Sequence, residues 1–380
     1  MRRQARVERP DWRRHCEELG FDFHTIDGAR YWDESAAYAF SLAQIEIVEA
    51  AAETLNQLCL ELVDDLVSRQ DFSAFRLSAA AADLITHSWC RGDRSLYGRF
   101  DLSWDGSARP PKLLEFNADT PTGLLEASVV QWFWLQDCRC GEDQFNSLHE
   151  QLIARWQQCL IPGTQVHFAA LAGHPEDSGT TRYLMDTALQ AGLRAVLIDI
   201  ESIGHADDGR GFVDLNGQAI THLFKLYPWE WLWQDDFAEY LADAQTVYFE
   251  PPWKLLLSSK ALLPLLWQRY PDHPNLLAAS FADDLGRPAV RKPIYSREGA
   301  NVCLLSAQGD AIETAGPYGE EGWIYQAPAP LPCLDGHYPV IGAWIVGEQA
   351  AGIGIREDRS PITQNSSRFV PHYFNHSDSP

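Results

Sequence analysis

Two short runs hold residues whose types and spacing suit chemistry on phosphates. Tyr-Gly-Arg-Phe-Asp spans 97–101, and Leu-Leu-Glu-Phe-Asn-Ala-Asp-Thr-Pro-Thr spans 113–122. Side chains two apart on a strand share a face. Arg99 and Asp101 therefore point one way on the first run, as do Glu115 and Asn117 on the second. In an antiparallel hairpin the two faces can coincide, placing two carboxylates and an amide oxygen beside an arginine. Hard oxygen ligands with open positions suit Mg²⁺, which binds through one or two carboxylates and substrate phosphates. The arginine would stabilise charge on a phosphoryl group in transfer. Spacing alone leaves equally open a surface hairpin whose arginine simply pairs with a carboxylate. The apolar flank of Phe100, Leu113, Leu114 and Phe116 favours the functional reading, because a semi-buried hairpin needs a reason to gather four polar groups.

Other charged positions could face the same phosphates. Lys260 falls where a loop enters the apolar run after Ala261, and a helix N-terminus with a lysine nearby suits phosphate. Lys292 ends a strand candidate at 289–292. It is followed by Ser-Arg-Glu-Gly-Ala-Asn at 296–301, a turn whose backbone N–H groups could cover phosphates. Each lysine taken alone reads more readily as an exposed charge. Several enzyme classes are excluded. There is no G-x-x-x-x-G-K-[ST] phosphate loop, and no G-x-S-x-G or H-E-x-x-H motif. Gly352-Ile353-Gly354 lacks the third glycine and following helix of a dinucleotide site.

The elements that must position these groups follow from periodicity. Ile45, Val48, Ala52, Leu55 and Leu62 recur at helical spacing, which predicts one long helix over 41–69. Strands at 97–104 and 112–117 flank the Asp105-Gly106 turn, and a helix over 122–136 enters at Pro121. Strand 166–171, helix 183–190, a stop at Gly192 and strand 195–198 predict a small α/β lobe. Helical runs are expected at 229–241 and 260–270. Five strand candidates follow, at 289–292, 301–304, 323–326, 340–346 and 350–356, and together read as one antiparallel sheet. The tail after His372 reads as loose. The fold class expected is mixed α/β (α+β).

Composition bounds the partners. With 380 residues and 46% hydrophobic content, the chain can bury more than one core. Its 14 Trp read mainly as packing mass. A net charge of -23 argues against nucleic acid, whose phosphates need a basic footprint, and weakly suits a cationic substrate. Only Arg2, Arg3, Arg6, Arg9, Arg13 and Arg14 run the other way, as a basic arm either frayed or docked on an acidic surface. No run of about 18 apolar residues predicts a membrane span, and no signal peptide is read at the start. The eight Cys are scattered, and Cys138-x-Cys140 alone is no zinc site, so reduced thiols and a cytoplasmic location are expected.

Taken together, these segments resemble the synthetase domain of the glutathionylspermidine synthase family, closest to its short bacterial acid–amine ligases that lack the amidase domain. The markers are Y-G-R-F-D (97–101), L-L-E-F-N-A-D-T-P-T (113–122), S-S-K-A-L-L-P-L-L-W (258–267), R-K-P-I-Y-S-R-E-G-A-N-V (291–302), W-I-Y-Q (323–326) and G-I-R-E-D (354–358). The resemblance covers about 19–372. It implies an ATP-grasp fold in permuted order with a small pre-ATP-grasp-like α/β lobe. It further implies a basic arm at 1–14, a helical segment with the metal-binding hairpin at 15–160, the small lobe at 161–255, a nucleotide-binding part at 256–372 and a tail at 373–380.

By motif match the resemblance makes Arg99 the transition-state arginine and Asp101, Glu115 and Asn117 the Mg²⁺ ligands. It places Lys260 and Lys292 on ATP phosphates, Gly299 in the covering loop, Gln326 at the adenine edge, Arg356 near the reacting phosphate and Thr120 on the substrate. It implies ATP and Mg²⁺ as cofactors and a small-molecule or peptide acid and an amine as partners. An acyl phosphate forms first and the amine then displaces phosphate, which is sound chemistry because a bare carboxylate is a poor acyl donor. No acidic pair stands in 177–181, where the family places acidic or polar groups near its peptide substrate. Reaction class therefore transfers and substrate identity does not. Two other readings use the same residues: an ATPase or kinase without amide formation, and a non-catalytic binder of peptide or polyamine.

Overall fold

The computed structural model describes residues 1–138, 143–206, 208–209, 211–242 and 245–375. Cys140 and the last five positions of the tail lie outside them. The long helix forms as Leu42–Arg69, and a reciprocal cap fixes its start. Gln44 N–H donates to Ser41 Oγ, and Ser41 N–H donates to Gln44 Oε1. Its buried face, including Val48, Leu55, Leu62 and Leu66, packs on the strands Tyr338–Val346 and Gln349–Asp358 and on the helix Leu262–Arg269.

The five late strand candidates do not make one sheet. Trp323–Gln326, Ala289–Pro293 and Cys303–Leu305 join Ala279–Ser280 and Ala311–Glu313 in one five-stranded antiparallel sheet. Tyr338–Val346 and Gln349–Asp358 belong to a second, in the order Arg368–Val370, Gln349–Asp358, Tyr338–Val346, Tyr97–Ser103, Lys112–Asn117. The reason is burial on both faces. From Pro339 to Val346 every residue is buried, so this strand takes the centre of a covered sheet, with the early hairpin as its neighbour. Chain segments more than 200 positions apart thus share one ladder.

The α/β lobe is a four-stranded parallel sheet in the order Val247–Phe249, His222–Leu226, Gln165–Ala170, Arg194–Asp199. Its helix starts earlier than periodicity suggests, at Pro175 rather than 183, because proline is favourable at the first helical position. The expected helix at 122–136 begins at 124, after a loop through Pro121 and Gly123, and its first part, Glu126–Val130, is a π-helical turn. The run at 229–241 reduces to Trp229–Leu232 and a 3₁₀ turn at Ala238–Tyr240, since Gln234, Asp235 and Asp236 interrupt its apolar face.

The basic arm is docked. Arg2–Ala5 pairs with Ala36–Ser41, Arg3 donates to both oxygens of buried Glu357 at 2.8 and 2.9 Å, and Arg9 pairs with buried Glu34. At the other end, His372–Asn375 adds a parallel strand beside residues 38–41, so the ordered chain runs past His372. Cys16, Cys59, Cys90, Cys159, Cys303 and Cys333 are free thiols. No described helix is long and apolar enough to cross a membrane.

Two buried ion pairs tie the lobe to the hairpin. Lys225 Nζ lies 2.6 Å from Asp119 Oδ1, and Trp229 N–H donates to Asp119 Oδ2 at 2.9 Å. At the hairpin's start, the buried Glu250 carboxylate accepts from Leu96 N–H and Tyr97 N–H and sits 3.5 Å from Lys254 Nζ.

Candidate active site

The strands Tyr97–Ser103 and Lys112–Asn117 pair antiparallel, with Arg99 opposite Asn117 and Asp101 opposite Glu115. A bulge after Asp101 keeps these four side chains together and turns the next residues away. Arg99 grips Asp101 bidentately, Nε to Oδ1 at 2.7 Å and Nη2 to Oδ2 at 3.1 Å, and its Nη1 donates to the Thr122 carbonyl. Asn117 Nδ2 donates to Asp101 Oδ2 at 3.1 Å. Gly342, opposite Asp101 on the neighbouring strand, makes room for the arginine, because a Cβ there would come 2.8 Å from Arg99 Cδ.

Glu115 faces the lysines. Lys260 Nζ lies 3.1 Å from Glu115 Oε2 and donates to the Ser296 carbonyl at 2.8 Å. Lys292 Nζ donates to the Leu114 carbonyl and to Gln326 Oε1, at 2.9 and 2.8 Å. Gln326 in turn donates to the Leu113 carbonyl, so its amide braces a lysine and a strand at once. Burial alone would push the Glu115 carboxyl up, but Lys260 and Lys292 hold it down at about 2. Burial brings the Lys292 ammonium down to about 8, against the pull of Glu115. Burial pushes Asp101 up in spite of Arg99. Burial also opposes the charge on Arg99, but Asp101 and Glu115 more than offset it and hold the guanidinium ionised.

Two cavities meet at these carboxylates. The larger, about 550 Å³, lies between the two antiparallel sheets, with apolar walls including Val290, Leu304, Ile312 and Ile362, and with Lys292 and Gln326 on its lining. The smaller, about 340 Å³, is bounded by Arg99, Asn117, Thr120 and Arg356 and by the lobe residues His174 and Asp177. Asp101, Glu115 and Gly299 line both. Lys292 thus lines the larger cavity, and Lys260 reaches Glu115 on its edge. The cleft is between the two sheets, since the hairpin is part of one of them.

The remaining sequence-chosen residues lie around this junction. Gly299 sits at φ +70 in the loop after Tyr295, where a side chain would collide with the Thr363 carbonyl. Arg356 donates to the carbonyls of Gln364, Asn365 and Ser367 at 2.7, 2.8 and 3.0 Å, and lies over the Tyr31 ring. Thr120 Oγ1 accepts from Arg297 Nη1 at 2.6 Å.

Sequence reasoning missed Arg297 itself, which also grips Glu230 at 3.0 Å and so ties the covering loop to the lobe. It also missed an acidic pair. Glu176 and Asp177 form the first turn of the lobe helix, one position upstream of where a pair was sought. The available signal was proline followed by two acids, a helix start. Burial and Glu176 push the Asp177 carboxyl up to about 6.

No cluster of three or more His, Cys, Asp or Glu able to hold a metal occurs among the described residues. The donor set here is smaller: two carboxylates open to both cavities and, on the same face, the Asn117 amide open to the smaller one. Such a set fits Mg²⁺ bound jointly with substrate phosphates, and does not fit a closed all-protein metal site.

Known proteins resemble this chain in fold and in sequence. A glutathione synthetase-like effector from Globodera pallida has the same fold, with a TM-score of 0.57 at 9% identity, covering 97% of this chain and 98% of the other. A protein of Haemophilus influenzae named "Putative acid--amine ligase" is 42% identical, over 96% of this chain and 97% of its own. Trypanothione synthetase of Crithidia fasciculata is 29% identical over 85% of this chain, which spans only 52% of that protein. The bifunctional glutathionylspermidine synthetase/amidase of Escherichia coli is 25% identical over 87% of this chain and 57% of its own length. The family model and these relatives define a carbon–nitrogen ligase. The glutathionylspermidine synthase preATP-grasp model matches residues 3–375, and the chain belongs to that family.

Proposed function

We propose that this chain is an ATP- and Mg-dependent acid–amine ligase that forms an amide through an acyl phosphate. The observation that carries the reading is the meeting of two cavities at Asp101 and Glu115, with Arg99 on one side and the lysines on the other. The larger cavity takes the adenosine, its apolar walls suiting a flat ring and Lys260 and Lys292 binding the phosphates. Gln326 holds Lys292 in place and forms part of the floor. Gly299 and its neighbours cover the phosphates. Asp101, Glu115 and Asn117 hold Mg²⁺, which when bound shares the charge of the nucleotide's phosphate oxygens.

The smaller cavity takes the acid, with its carboxylate toward Arg99 and Arg356 and with Thr120 contacting it. Arg99 stabilises the phosphoryl group as it passes to the carboxylate oxygen. The amine then attacks the acyl carbon, the C–N bond forms, and phosphate departs. The acidic wall of Asp177 and Glu298 suits a cationic, polyamine-like amine, and a peptide or glutathione-like acid suits the polar wall opposite. In this reading the ATP-grasp unit is permuted, with its metal hairpin supplied by 15–160, its nucleotide part by 256–372, and the small lobe at 161–255 bounding the substrates.

The test is Mg-dependent ADP release by the purified protein, screened over candidate acids and amines, with mass spectrometry of the products. The expected product weighs one water less than the acid and amine together. ADP release with no condensed product from any pair would leave an ATPase or kinase, and no nucleotide turnover at all would remove the enzyme reading.

Lys292→Ala tests the nucleotide side. Loss of one hydrogen bond to a charged group costs about 1.5–3 kcal/mol, so ATP should bind roughly tenfold to a hundredfold more weakly by calorimetry. Lys260→Ala should act in the same direction. Unchanged ATP affinity in both variants would remove the phosphate assignment.

A further inference from the structure

The strand Tyr338–Val346 sets two residues against the site face of the hairpin, Gly342 and Trp344. Gly342 stands opposite Asp101 and leaves room for the arginine, while Trp344 stands directly opposite Arg99. Directly opposed residues of an antiparallel pair share a face, so the indole meets the guanidinium across the ladder. Arg99 Cζ lies over the Trp344 ring, 5.6 Å from its centroid. Trp344 is 1% exposed and lines the smaller cavity beside Arg99.

A second ring stacks on the indole. Tyr97 lies two positions before Arg99 on the same strand face, with its ring centroid 6.1 Å from that of Trp344 and the planes 8° from parallel. Tyr97 Oη donates to the Pro121 carbonyl at 3.3 Å, and the next carbonyl, that of Thr122, accepts from Arg99 Nη1. The contacts therefore close on themselves, from Arg99 through Trp344, Tyr97 and the backbone of 121–122 back to Arg99.

Two observations set this apart from ordinary core packing. A buried indole usually finds an acceptor for its N–H, but Trp344 Nε1 is buried with no hydrogen-bond partner among the described residues. An unpaired buried donor costs free energy, and phenylalanine would fill much of the same space without that cost. What the indole adds is its face, which attracts a cation more strongly than that of any other side chain. The second observation concerns Asp101, whose two oxygens grip Arg99 at 2.7 and 3.1 Å. The ligase reading gives those same oxygens to Mg²⁺. The ring face and the Thr122 carbonyl are supports for which no metal competes.

Resting on that reading, we propose that Trp344 is a positioning residue for Arg99. Its indole face holds the guanidinium at the junction of the two cavities while Asp101 is shared with the metal, and Tyr97 holds the indole.

Two arms test this. The first needs no turnover. ¹⁵N relaxation of the Arg99 Nε–H, identified by its absence in Arg99→Ala, should show an ordered guanidinium in the unaltered protein with and without Mg·AMP-PNP. Trp344→Leu should leave it mobile, most of all with Mg·AMP-PNP bound, and Trp344→Phe should fall between. Equal order in all three proteins in both states overturns the proposal. The second arm follows ADP release with glutathione as the acid and spermidine as the amine. Trp344→Leu should lower kcat about tenfold, the scale of a desolvated contact between a cation and an aromatic face, with KM for ATP little changed. In an Arg99→Ala background the same substitution should cost nothing further, because the two residues act as one unit. An equal fold loss in both backgrounds would make the tryptophan merely structural. If Trp344→Leu does not fold, Trp344→Phe carries the same comparisons. No ADP release from the unaltered protein with any acid–amine pair would count against the ligase reading alone, and the relaxation arm would still decide the part played by Trp344.

Discussion

Arg99→Ala should lower turnover by roughly two to four orders of magnitude, the scale for losing one group that stabilises a transferring phosphoryl, while Mg-ATP binding falls much less. The guanidinium already lies at the junction of the two cavities, gripping Asp101 with two parallel bonds and anchored on the Thr122 carbonyl. Its charge counts most when the phosphoryl group is partly detached, which is stabilisation of the transition state over the bound substrates. Arg99→Lys should rescue little, because a point charge cannot reproduce the planar fork. Asp101→Ala should behave differently, raising the Mg²⁺ requirement and weakening nucleotide binding together. Steady-state kinetics beside calorimetric ATP titration separate the two. Near-normal turnover in Arg99→Ala, with its true substrates, would make Arg99 only a structural partner of the carboxylates.

The second large effect is on stability. Asp119→Ala should cost about 3–5 kcal/mol, measured by denaturant unfolding, because it leaves the Lys225 charge buried and unpaired. Both side chains are fully buried, and burial pushes Asp119 up and Lys225 down, each offset by the other's charge. The same change strips the Trp229 N–H of its acceptor. Trp229 opens the short turn that carries Glu230, the partner of Arg297 over the smaller cavity, so the α/β lobe should loosen from the hairpin as well. Asp119→Asn, which keeps an acceptor oxygen but no charge, should cost less. A cost within about 0.5 kcal/mol for the alanine variant, the range of ordinary surface changes, would mean that Lys225 finds another partner.

Much of the site was legible because strand periodicity is a local property. Arg99 with Asp101, and Glu115 with Asn117, share faces by spacing alone, and the apolar residues between them fix which face turns inward. The long helix and the α/β lobe were legible for the same reason, as each writes its period within a single run of chain. The π-turn at Glu126 and the early start at Pro175 were not, because a late helix boundary reads much like an early one.

What the sequence by itself determined about this protein is the set of polar groups on the hairpin and its family. The tertiary structure alone decided that the late strands divide between two sheets, because double-sided burial draws residues 338–346 to the hairpin rather than to their sequence neighbours. That division creates the larger cavity and sets Lys292 against Glu115 across 177 positions of chain. That pairing has no local signature, since it depends on desolvation and on contacts between segments that no sequence period links.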